Sequence, residues 1–67
     1  MRDWLKEKRT EKGMTMAQIA EKLDISEPYY CLIEAGERQK KMDIVLVSNL
    51  SAILEIPVTE IIKLEAM

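Results

Sequence analysis

The stretch TMAQIAEKLDISEPYYCLIEAG, residues 15–36, reads as two short helices joined by a tight turn, with the rest of the chain as support. Thr15 followed by Gln18 is the Thr-x-x-Gln form of a capping box, in which each side chain satisfies a backbone N–H at a helix start. Ile19, Ala20 and Leu23 then recur at helical spacing and make one apolar face. Asp24 can end this helix, because Asp tolerates the left-handed conformation better than most residues other than Gly and Asn. Ile25 is expected to plug the core at the turn. Ser26 is a good N-cap for the second helix, and Pro28 fits its first turn, where a missing backbone N–H costs little. Tyr30 and Ile33 point one way with Glu34 beside them, and Gly36 stands where a helix C-terminus favours a left-handed residue.

Sixty-seven residues allow one small domain. Chains this short bury only about 60% of their unfolded surface, so stability requires good packing or dimerisation. With 2 Gly, 2 Pro and no Phe, and with many Ala, Leu, Ile, Lys and Glu, the composition points to an all-α fold. The single cysteine excludes an internal disulfide and fits a reducing cytoplasm. No signal peptide and no apolar run long enough to span a bilayer is present, so a cytoplasmic chain with no membrane partner is expected. Histidine is absent, which removes the commonest general base and metal ligand. One cysteine cannot make a zinc site, and there is no Gly-rich phosphate loop or nucleophile motif. The expectation is therefore no enzyme activity, no metal, no cofactor and, in a chain of this size, no small-molecule ligand.

The motif residues resemble the Cro/CI-type helix-turn-helix, the lambda-repressor-like family also called XRE-like. Arg9, Gly13, Met14, Thr15, Ile19, Ala20, Leu23, Ile25, Ser26, Tyr30, Ile33, Glu34, Gly36 and Arg38 stand in the places of that family's pattern. The resemblance covers nearly the whole chain and implies a compact five-helix domain. Helices are expected over residues 2–12, 16–23, 27–35, 44–54 and 58–64, with the helix-turn-helix at the second and third. An opening Met and a five-helix unit that fills the chain lead to the expectation of a complete, single-domain protein.

In the first helix, Leu5 and Arg9 are an i,i+4 pair expected to face inward together, and Trp4 is expected against the C-terminal segment. Gly13 ends this helix and Met14 packs inward. The resemblance implies that Arg9 pairs with Glu34 as a structural salt bridge fixing helix 1 on helix 3, a bidentate contact suited to guanidinium and carboxylate. Asp43 caps the fourth helix. Its core face is expected to be Ile44, Val47, Leu50, Ser51 and Leu54, with Val45, Leu46 and Ile53 on or near the other side as a second apolar surface. Glu55 occupies the place where the family usually has Gly, so it either caps differently or adopts a strained left-handed conformation. Ile56 re-enters the core and Pro57 opens the fifth helix. The resemblance implies a two-fold contact there; Val45, Leu46, Ile62, Leu64 and Met67 are the homodimer candidates, with ordinary core packing as the alternative.

Double-stranded DNA is the partner that the resemblance implies, with the helix over 27–35 in the major groove. Candidate DNA contacts are Thr15, Met16 and Gln18 at the start of helix 2, and Ser26, Glu27, Pro28, Tyr29 and Leu32 on helix 3. Arg38, Lys40 and Lys41 complete the set, in a loop one residue longer than usual and lacking the family's usual Pro. None of the outward residues of helix 3 is a bidentate reader of G or A. Glu27 can accept from a cytosine amino group, Tyr29 can donate to a phosphate or pack on a thymine methyl, and Leu32 can make only the apolar contact. The net charge is −2, against the phosphate affinity that Lys and Arg supply, yet the cations fall mainly in two runs, Lys6 to Lys12 and Arg38 to Lys41. Cys31 reads as a small semi-buried residue. Two functions follow. The first is a sequence-specific transcriptional regulator, of the repressor kind, binding a palindromic operator as a dimer. The second is a protein-interaction or antirepressor-like module that keeps the fold but binds DNA weakly.

Overall fold

Side-chain caps set where three of the five helices begin. The computed structural model describes residues 1–67 as α1 (Asp3–Glu11), α2 (Met16–Leu23), α3 (Glu27–Ala35), α4 (Ile44–Leu54) and α5 (Val58–Glu65), with no strand. At α2 the capping box forms: Gln18 N–H donates to Thr15 Oγ1 at 3.1 Å and Thr15 N–H to Gln18 Oε1 at 2.8 Å. Ser26 Oγ accepts from Tyr29 N–H at 3.2 Å, and Asp43 Oδ1 from Leu46 N–H at 2.8 Å. Each cap satisfies a donor that the first helical turn would otherwise leave unpaired.

Left-handed residues close α2, α3 and α4. Asp24 (φ 59°), Gly36 (φ 84°) and Glu55 (φ 57°) hold these positions. Glu55 thus takes the strained conformation rather than a different cap, and an exposed ion pair to Lys12 accompanies it. α1 is one residue shorter at each end than the expected 2–12, and α5 one residue longer than 58–64. The start of α1 and the end of α5 meet through Arg2 and Glu65. Arg2 leaves helical geometry (φ −90°, ψ 81°) and holds Glu65 in an ion pair at 2.9 Å.

The core draws on every helix: Leu5 from α1, Ile19, Ala20 and Leu23 from α2, Tyr30 and Ile33 from α3, and Ile61 from α5. α4 contributes Leu46, Val47, Leu50 and Leu54. It packs on α2 and α5, while α1 packs on α3. This corrects the expected face of α4. Ile44 is 71% exposed, and Leu46, expected on the outer side, is 8% exposed and belongs to the core. α4 is apolar nearly all round, so its pattern carries little phase information, and contact with α2 decides which side turns in. Ser51 is half-buried and donates to the Ile56 carbonyl at 2.6 Å, closing the α4–α5 corner. Trp4 does meet the C-terminal segment, its Nε1–H donating to Glu65 Oε2 at 2.8 Å. No single helix is long and apolar enough to cross a membrane; α4 and α5 together would form only a pair bent by 115°.

Candidate nucleic-acid interface

The turn at Asp24 and the Ser26 cap set α3 on α2 with one row of side chains inward and another outward. Inward are Tyr30, Ile33 and Glu34. Outward at i, i+3, i+4 spacing are Pro28, Cys31 and Leu32, the first two exposed and Leu32 half-buried. Cys31 is therefore not the semi-buried residue expected. It sits between Pro28 and Leu32 on the outward row, a place that helical spacing alone could have assigned. Glu27 is exposed in the first turn.

The inward row is held by a closed polar network. Arg9 donates from Nε to Glu34 Oε2 at 3.0 Å and from Nη2 to Oε1 at 3.1 Å, and its Nη1 reaches the Met14 carbonyl at 2.9 Å. Tyr30 Oη–H donates to Glu34 Oε2 at 2.6 Å. Burial pushes the Glu34 carboxyl up, but the hydrogen bonds from Arg9 and Tyr30 and the Arg9 charge outweigh it and hold the group below its ordinary 4.5. The hydrogen bond to Glu34 raises the Arg9 guanidinium further, against desolvation. Burial, followed by the hydrogen bond to the Glu34 anion, pushes the Tyr30 phenol far above its usual range. The expected Arg9–Glu34 pair thus forms, and no buried side-chain polar atom lacks a partner.

The remaining candidates are spread over three places. Thr15 and Gln18 are exposed but engaged with each other in the capping box, and Met16 is half-buried against the core. Ser26 is engaged as the α3 cap. Tyr29 is half-buried, and its Oη accepts from Gln39 Nε2 at 3.1 Å. Arg38, Lys40 and Lys41 are all exposed. Lys40 and Lys41 rim an open groove of ≈ 330 Å³ with Met42, Ile61 and Ile62, which places them toward α5. Of the dimer candidates, Val45, Ile62 and Met67 are exposed and Leu64 is half-buried. Leu46 lies in the core and is withdrawn from that surface. No group of three or more His, Cys, Asp or Glu side chains stands together to hold a metal ion.

Sequence reasoning missed two residues that order this region. Gln39, at φ 55°, donates to Tyr29 and accepts from Asp43 N–H at 3.1 Å, joining α3 to the start of α4. Arg2 is buried, and its guanidinium meets Glu65 and the carbonyls of Ile33, Arg38 and Gln39. No local signal marks Arg2, since every side-chain partner lies more than thirty positions away.

The outward row can exclude water and make apolar contacts, Glu27 can accept hydrogen bonds, and the loop after α3 can supply cations. Comparison with known proteins agrees with this geometry. A family model described as helix-turn-helix matches residues 5–61. An uncharacterized HTH-type transcriptional regulator, YqaF of Bacillus subtilis (strain 168), is 46% identical over 39 residues. That match covers 58% of this chain and 51% of the relative, so this chain spans about half the relative's length. No solved structure matches.

Proposed function

This chain belongs to the helix-turn-helix family, and on that premise we propose that it is a sequence-specific DNA-binding transcriptional regulator of the repressor kind, acting in the cytoplasm. α3 enters the major groove of double-stranded DNA, and a homodimer sets two copies of α3 about one DNA turn apart on a palindromic operator. The observation that carries this reading is the division of α3. Its inner row is bonded to α1 through Glu34 and Arg9, while the side chains of Pro28, Cys31 and Leu32 face outward. That arrangement offers a rigidly mounted outer face.

Base reading then rests on apolar contact. Pro28, Leu32 and the ring of Tyr29 pack against thymine methyl groups, and Glu27 accepts from a cytosine amino group. Arg38, with Lys40 and Lys41 further along the loop, supplies phosphate contacts. Val45, Ile62, Leu64 and Met67 form the dimer surface.

A second reading is an interaction module with weak DNA affinity. It is favoured by the exposed Ile44, Val45 and Ile62 and by the lack of Arg, Asn or Gln on the outward row of α3. Selection of bound duplexes from a random pool at low salt separates the two. The regulator enriches a palindrome whose affinity falls steeply as salt rises, because each neutralised phosphate releases counterions. No enrichment, together with a stable assembly by light scattering, would favour the module.

A further inference from the structure

The last turn of α3, like that of α4, holds no basic residue, although a cation at this carbonyl end stabilises the helix dipole. The cation comes from the other end of the chain. Arg2 backbone N–H donates to the Glu34 carbonyl at 2.8 Å, and Arg2 Nη1 donates to the Ile33 carbonyl at 2.6 Å. The same guanidinium also donates into the loop after α3, with Nη1 on the Arg38 carbonyl at 3.1 Å and Nη2 on the Gln39 carbonyl. Its Nε is anchored by Glu65 at 2.9 Å. Gln39 is a non-glycine residue at φ 55°, a conformation that persists only where its surroundings impose it. Arg2 itself is 7% exposed and cannot reach a ligand at the surface.

We propose that Arg2 is a positioning residue for DNA binding: by capping α3 and holding the backbone at Arg38 and Gln39, it sets the Arg38 side chain against a phosphate beside the recognition helix without touching DNA. This rests on the DNA-binding reading above. The carbonyl oxygens of residues 38 and 39, which would repel a phosphate, are turned onto the buried guanidinium. The Arg38 side chain is exposed on this turn, its Nη1 donating to the Glu37 carbonyl at 3.3 Å. A lysine at position 2 keeps the charge but is a point donor, and cannot span Glu65 and three carbonyls as the planar fork does.

The test is the slope of log affinity against log salt on the duplex enriched by selection, for the wild-type protein, Arg2→Lys, Arg38→Ala and the double variant. Loss of one phosphate contact lowers the slope by about 0.9. Arg2→Lys should lose about as much as Arg38→Ala, and the double variant should lose no more than either alone. A variant that is only less stable binds less at every salt concentration with the wild-type slope, so the slope separates positioning from folding. Each slope is measured below the melting onset of the variant concerned. A wild-type slope in Arg2→Lys, or losses that add in the double variant, would overturn the role of Arg2 and leave the DNA-binding reading intact. Absence of salt-dependent duplex binding by the wild-type protein would overturn both.

Discussion

Tyr30 and Cys31 are neighbours on α3, yet the first is fully buried and the second is exposed. The row that includes Tyr30 is over-determined. Its hydroxyl, the Glu34 carboxylate and the Arg9 guanidinium satisfy one another, and a change in any one takes at least one hydrogen bond from a buried polar group. The row that includes Cys31 has no such obligations. Pro28, Cys31 and Leu32 can be exchanged with little effect on packing, so they are free to be chosen for a partner. One helix thus carries two unrelated constraints, separated by the direction in which its side chains point. Mutations on each row test that division.

The largest effect belongs to the ion pair. Arg9→Ala or Glu34→Ala should cost about 3–5 kcal/mol in chemical denaturation, because each strands a buried charge. Replacing both with apolar residues should cost less than the sum of the two. A small loss from either single change would mean that the inner row is less constrained than its geometry indicates. Tyr30→Phe should cost less, about 1.5–3 kcal/mol, by removing one hydrogen bond to a charged acceptor. The pH dependence follows the same network. Glu34 ionises below its ordinary 4.5 in the folded protein, so its contribution is complete above that value. It is lost as pH falls through the folded-state pKa. Thermal melts between neutral and acidic pH should show this loss in the wild-type protein, and a smaller one in Glu34→Gln. The smallest effect is expected outside: Cys31→Ser should change stability by no more than about 0.5 kcal/mol.

The same division explains what could be read from the chain. Thr15 with Gln18, Ser26 and Asp43 announce their helix starts through local chemistry, since the cap and its partner lie within three residues. The Arg9–Glu34 pair is legible only through the family resemblance, and the structure shows it with the bidentate geometry expected. α4 is hard to phase because only Ser48 and Asn49 mark its solvent side, among apolar residues that also lie there. Ile44 and Leu46 exchanged places for that reason alone. Arg2 and Gln39 escaped notice because their partners are set by how α1, α3 and α5 meet, which no nearby residue encodes. The outward row of α3 was visible as a surface but not as a specificity, since its partner lies outside the chain.

The most direct test of the two-sided account of α3 is duplex selection repeated with Leu32→Gln beside the wild-type protein. Glutamine pairs with the N6 and N7 edge of adenine, where leucine can only touch a methyl group. The account predicts that the variant keeps the wild-type melting behaviour, binds DNA, and gains adenine at one position in each half-site. An unchanged consensus sequence, from a variant that folds and binds as the wild-type protein does, would contradict it.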